Sequence, residues 1–474
     1  MYKVVIGLEV HCELKTVSKV FSSAPNTYSE IPNINISAID LAFPGIMPVI
    51  NKKAVELALK TAMAINCKTP DEVLFDRKNY FYPDLPKGYQ ITQVTKPMGI
   101  NGKLIINVDG EEKEVLIKQL HLEEDTASLD HFSSYSLLDY NRSGIPLIEI
   151  VTEPCLNSAK EALSFLESLR SVFLYCGVSD AKSDKGQMRC DVNISLMKED
   201  AKELGTKVEI KNINAFNNVK DAIEYEIKRQ TEMLDNGETI IMETRRFDDD
   251  KRETQSMRTK VEAVDYKYFI EPNLPLVKVD DSWIVEIRES IPMLQYERIN
   301  LYMKEYELSR YDATILAKDK KIADFFEEAI TYNNDYKKIA NWINGIILGH
   351  LNKNELDIND LFITPKMLVE LIEKIENKTI SIKQGKEVLY QSLNEKRDPI
   401  EIIKESNISQ IQDDSYIKNI VVEVLDEQEP LITEYKNGRN NVLDYLMGQV
   451  MKKTKGKANP ASAYEMLKEE IAKR

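Results

Sequence analysis

Period-two alternation recurs through the first 290 residues of this chain and then stops, and no other feature narrows the fold as far. Successive side chains of a strand point to opposite faces. In VVIGLEVHCEL, residues 4–14, one face therefore carries Leu8, Val10, Cys12 and Leu14, and the other Glu9, His11 and Glu13. GQMRCDVNISL sets Met188, Cys190, Val192, Ile194 and Leu196 against Gln187, Arg189, Asp191, Asn193 and Ser195. TKVEIKNINAF opposes Val208 and Ile210 to Lys207, Glu209 and Lys211. KQLHLEEDTASL opposes Leu120 and Leu122 to His121 and Glu123, with Glu124 at the strand's end and Asp125 beyond it. Strands with one apolar and one polar face belong to a largely antiparallel sheet packed on one side. Helical stretches such as NKKAVELALKTAMAI and SAKEALSFLESLRSVFLYCG complete an α+β domain over residues 1–290.

Beyond the prolines at 272 and 275 the period becomes helical. TILAKDKKIADFFEEAITY and TPKMLVELIEKIENKTI each open on a threonine suited to an N-cap, Thr314 and Thr364. Two all-helical domains follow, 291–403 and 404–474, in keeping with the two to four domains that 474 residues imply. TKGKANP, near the end, reads as a loop.

The formal net charge is −15, yet residues 436–474 hold nine lysines and arginines against four acids, a local +5. Such asymmetry points to a body with one task and a tail with another. The five cysteines are scattered and form no C-x-x-C pair, so neither a disulfide framework nor a zinc ribbon is expected. The opening residues meet Glu9 and His11 too early for a secretory signal, and no run of about 18 apolar residues occurs, which predicts a cytoplasmic protein without membrane spans.

A polar strand face is ordinarily the wet side of a sheet. These faces differ in holding two of the four histidines together with carboxylates, an arginine and an asparagine. That mixture suits a hard divalent cation with phosphate oxygens around it. The chain has neither a G-x-x-x-x-G-K-[ST] loop nor a G-x-G-x-x-G after a strand, so any ATP must be held by side chains and metal.

GLEVHCELKT, FDRKNYFYPDLPKGYQ, HLEEDTA, LDYNRSGIPLIEIVTEP, GQMRCDVNISL, EIKNINAF and ETQSMRTKVEAVDYKYFIEPNLP, in this order, resemble the hallmarks of the B subunits of glutamine-dependent aspartyl/glutamyl-tRNA amidotransferases. The likeness continues into GQVMKKTKGKANP. It implies a glutamine-synthetase-like cradle domain followed by helical domains, the last of them binding tRNA. It also implies ATP-dependent phosphorylation of the side-chain carboxylate of Glu-tRNA(Gln) or Asp-tRNA(Asn), then amidation. Ammonia would come from a separate amidase (A) subunit, with a small C subunit completing a heterotrimer. The chain shows no Gly-Gly-Ser-Ser signature of its own.

By this resemblance Glu9, His11, Glu124 and Asp191 form the catalytic, Mg²⁺-binding set. Alternation favours Glu123 as the neighbour of His121, the family pattern favours Glu124; both are candidate ligands and Glu124 is preferred. Arg189, Lys78, Lys211 and Glu149 are candidates around ATP, although Arg189 reads equally well as one half of a salt bridge across the sheet. Lys78 and Lys87 are candidates for the ammonia path, and Arg439, Lys452, Lys453, Lys455 and Lys457 for tRNA phosphates. Many relatives carry paired cysteines where this chain has NTYSEIPNINISAIDLAFPG, so no zinc is expected. The competing readings are a stand-alone ATP-dependent carboxylate-amine ligase acting on a small molecule, and a non-catalytic tRNA-binding scaffold.

Overall fold

A computed structural model describes residues 2–213, 215–259, 265–406, 414–436, 439, 441–454, 458 and 460–474. The chain divides into two compact units, 1–296 and 297–474.

The first unit is α+β. Its main sheet has eight strands: β1 (Tyr2–Glu13), β2 (Gly99–Val108), β3 (Glu111–Glu124), β4 (Pro146–Thr152), β5 (Met188–Lys198), β6 (Val208–Ile213), β7 (Glu243–Asp248) and β8 (Glu253–Thr259). Their spatial order is β8-β7-β6-β5-β1-β4-β3-β2. Every neighbouring pair is antiparallel except β6 with β7. The alternation seen in the sequence is realised in burial. Leu8, Val10 and Cys12 are buried, with Leu120, Leu122, Cys190, Val192 and Ile194, in one apolar core. Helices α1 (Lys52–Ala64), α2 (Ala159–Cys176) and α3 (Phe216–Asp235) supply the other side of that core through Leu59, Phe165, Leu169, Val219 and Ile223. Asn51 caps α1 by accepting from Lys53 N and Ala54 N; Ser158 caps α2, which Gly177 ends in the left-handed region at φ 65°. With helices on one face only, the other face is free to carry Glu9, His11 and their neighbours.

A smaller three-stranded sheet, Phe269–Ile270, Asp76–Asn79 and Tyr89–Thr92, docks on the end of β3. Gln93 Oε1 accepts from Leu122 N at 2.9 Å, and Gln90 Nε2 donates to Glu124 O at 2.8 Å. The loop of residues 26–45 is tied down by amides and carboxylates. Asn33 N donates to Asp139, Asn35 N donates to Asn141, and buried Asp40 accepts from Ser22 and Ser37 with Lys19 Nζ 3.6 Å away.

The described part of the second unit is helical and holds two separate cores, one of residues between Tyr302 and Ile403 and one between Ile417 and Ile471. Thr364 caps Pro365–Glu376 as expected, accepting from Met367 N. Thr314 does not cap a helix. Its segment breaks into Arg310–Leu316 and Lys320–Ala329, opened by Ser309 and Asp319, because an Asp inside the run offers a better cap than the Thr before it. Among the described residues no helix is long and apolar enough to cross a membrane.

Candidate functional site

Four strands place four polar residues directly opposite one another across the sheet. Arg189 on β5 faces His11 on β1, His11 faces Glu149 on β4, and Glu149 faces His121 on β3. One step along, Asp191 faces Glu9. Side chains opposite one another on one face of a sheet lie about 5 Å apart at Cβ, so this register by itself gathers the cluster.

The side chains meet accordingly. His11 Nε2 lies 3.4 Å from Glu149, 3.7 Å from Glu123 and 3.9 Å from Glu9. His121 Nε2 lies 3.0 Å from Glu149 and 3.5 Å from Glu123. Two overlapping groups have the compactness of a metal site, Glu9–His11–Glu149 and His121–Glu123–Glu149, sharing Glu149. The donors fit a divalent cation. Three carboxylates offer the hard oxygens Mg²⁺ requires, two imidazoles add tolerance for Mn²⁺, and His121 Nδ1 is buried without a hydrogen-bond partner among the described residues.

Charge inside the cluster is coupled. Burial and the neighbouring Glu149 push the Glu9 carboxyl up to about 7. Burial opposes a charge on His121, but Glu149 and Glu123 outweigh it and raise the imidazole to about 10. Burial likewise opposes the charged form of Glu149, and the two imidazoles override it and hold its carboxyl well below the usual range. Without an ion, the cluster therefore keeps protons that a metal must displace. Divalent-ion affinity should accordingly strengthen as pH rises from 6 to 8, by up to about tenfold per pH unit for each proton released. Calorimetry with Mn²⁺ in buffers of different ionisation enthalpy checks both the trend and the proton count. A flat profile would remove the imidazoles from the ligand set.

The other candidates fall around this centre. Lys78 reaches it from the small sheet, its ammonium 5.0 Å from the Tyr266 ring; burial works against its charge, and Glu123 and the groups beside it restore it. Asp191 is bound to Lys211 at 3.2 Å, and Lys211 lies 3.5 Å from Glu209. Arg189 donates to Asp125 at 3.0 Å. Glu124 is not brought into either metal-like group. One residue beyond Glu123, it turns away from the imidazoles and accepts from Lys87 at 2.6 Å and from Ile91 N at 2.8 Å. Glu123, by contrast, stays on the face of His121, as alternation along β3 requires. Thr92 fixes Glu123 by donating to it at 3.1 Å.

Sequence reasoning gave no role to Asp125, Glu13 or Arg142. Arg142 donates to Asp125 at 2.6 Å and lies 3.2 Å from Glu13. The signal was Glu13's place on the face of His11; nothing local in NRSG points Arg142 toward this site. In the tail, Lys452 is exposed, Lys453 pairs with Glu423 at 2.7 Å, and Arg439 pairs with Glu434 at 2.8 Å. Lys455 and Lys457 lie outside the described residues.

Residues 4–285 match the model of the GatB/GatE catalytic domain, and residues 324–471 that of the GatB domain. Similar curated proteins include those of Halalkalibacterium halodurans (48% identical), Geobacillus kaustophilus (47%) and Oceanobacillus iheyensis (46%). Each is aligned over 474 residues, the whole of both chains, and each is named as the B subunit of an aspartyl/glutamyl-tRNA(Asn/Gln) amidotransferase.

Proposed function

The chain belongs to the GatB/GatE family, and from that premise we propose that it is the subunit that phosphorylates and then amidates the side chain of Glu-tRNA(Gln), Asp-tRNA(Asn) or both. The observation that carries this reading is the row Arg189, His11, Glu149 and His121, with Glu9 and Glu123 completing a compact cluster of carboxylates and imidazoles.

A carboxylate resists attack by an amine because its leaving group would be oxide. Phosphorylation removes that obstacle. A side-chain oxygen of the aminoacyl group attacks the γ-phosphorus of ATP, the bond to ADP breaks, and an acyl phosphate forms. The lone pair of ammonia then attacks the carbonyl carbon, phosphate leaves, and the nitrogen gives up a proton. Glu9, Glu149 and Glu123, with His11 and His121, would hold Mg²⁺, which supplies neutralisation of phosphate charge. Arg189, Lys78 and Lys211 add fixed positive charge around the reacting oxygens. Lys78 and Lys87 would line the arrival of ammonia, and buried Glu124, paired with Lys87, would take a proton there. The source of ammonia is a partner amidase chain, with a small third chain, in a cytoplasmic complex; the word "subunit" in the relatives' names supports an assembly of several chains.

The purified assembly should hydrolyse ATP only when given Glu-tRNA(Gln) or Asp-tRNA(Asn). Turnover with free glutamate would favour a small-molecule ligase, and no turnover with either a scaffold.

A further inference from the structure

We infer that Asp125 is the positioning residue of a two-arginine clamp, Arg189 with Arg142, that holds phosphate oxygens at the margin of the carboxylate and imidazole cluster. The inference rests on the phosphorylating role proposed above and names the groups that would take the phosphate.

Asp125 is the first residue after β3, and its backbone is locked on both sides. Its N–H donates to Ile145 O at 2.8 Å and its carbonyl accepts from Gly144 N at 2.9 Å. Gly144 adopts φ +83°, and a Cβ there would stand 2.9 Å from Asp40 Oδ1, so the NRSG turn that carries Arg142 has little freedom to shift. The Asp125 side chain is 3% exposed and uses both oxygens. Oδ1 accepts from Arg189 Nη2 at 3.0 Å and from Thr126 N at 3.0 Å. Oδ2 accepts from Arg142 Nε at 3.0 Å and Nη2 at 2.6 Å. One buried carboxylate thus grips two guanidiniums on strands and turns far apart in sequence.

The grip leaves the outer edges free. Arg189 and Arg142 keep 34% and 29% of their side chains exposed. Arg142 is shared with Glu13, whereas the ion pair of Arg189 among the described residues is with Asp125, and Arg189 Nε and Nη1 and Arg142 Nη1 have no hydrogen-bond acceptor there. Arg189 also stands directly opposite His11, so its free edge belongs to the cluster. Arg142 is held along its Nε–Nη2 edge and Arg189 through Nη2, which leaves each guanidinium further N–H donors for phosphate oxygens, and prior fixing lowers the entropy lost on binding. A salt bridge made for stability alone has no need to leave two donor edges open.

The test uses the assembled complex carrying Arg189→Ala, Arg189→Lys, Arg142→Ala or Asp125→Asn. Inorganic tripolyphosphate binding is measured by calorimetry without tRNA, and KM for ATP and kcat are measured with charged tRNA. Arg189→Ala and Asp125→Asn should each weaken tripolyphosphate binding and raise KM for ATP by about tenfold, with kcat changed less than KM, and Arg142→Ala should act in the same direction. Lysine at 189 should not restore binding, since it lacks a second edge. Arg189 is a third exposed, so its variants remain informative if Asp125→Asn unfolds. Unchanged tripolyphosphate affinity in folded Arg189→Ala, or no binding by the unsubstituted complex, would overturn the clamp. Tripolyphosphate binding lost in the variants, but without any tRNA-dependent ATP turnover in the unsubstituted complex, would uphold the clamp and reject the phosphorylating role instead.

Discussion

Replacing His11 by Ala should lower amide formation by about 10²- to 10³-fold or more while sparing at least part of the glutaminase activity of the partner chain. His11 stands at the middle of the cluster, within 4 Å of Glu149, Glu123 and Glu9. Removing its imidazole takes away one metal donor from the centre of a partly buried cluster that also holds three carboxylates. Rates of amide formation and of glutamine hydrolysis, measured on one preparation, separate the two activities. Near-normal amide formation would remove His11 from the chemistry.

The second large effect is expected from the tail. Residues 407–474 should be dispensable for the chemical step and needed for holding tRNA. The cut falls after Ser406 because helix Pro399–Ser406 buries Ile402 and Ile403 in the preceding core, whereas the residues from Ile417 onward form their own. Lys452 is exposed with no carboxylate paired to it among the described residues, whereas Arg439 and Lys453 are already engaged by Glu434, Glu423 and Glu427 and will contribute less. Deletion should raise KM for charged tRNA about tenfold and flatten its dependence on salt, since each lost phosphate contact lowers the slope by about one. An unchanged KM across a salt series would leave the helices of the preceding core as the remaining candidates for tRNA.

Alternation made the strands and their faces legible, because each is a local property. VVIGLEVHCEL announces β1 to within two residues at either end, and the faces of Glu9, His11, Asp191 and His121 follow from it. Alternation also separated Glu123 from Glu124 as to face: Glu123 lies beside His121, and Glu124 accepts from Lys87. Strand order was not legible. That β1 lies between β5 and β4 is decided by pairing over more than 130 residues of sequence, and it is this order that sets Arg189, His11, Glu149 and His121 in one row. The slip between Ile117 and Gln119, which restarts the alternation of β3 before His121, has no marker in the sequence. Arg142 escaped notice for the same reason: its partners Asp125 and Glu13 are distant in the chain, and a turn arginine reads as a surface residue.

The central claim is that the oxygen expelled during amidation leaves as phosphate. Glu-tRNA(Gln) carrying ¹⁸O in the side-chain carboxylate, incubated with ATP, Mg²⁺, glutamine and the full assembly, tests it in one measurement. One ¹⁸O should appear in inorganic phosphate for each amide formed, with His11→Ala lowering both together; unlabelled phosphate alongside amide formation would contradict the claim.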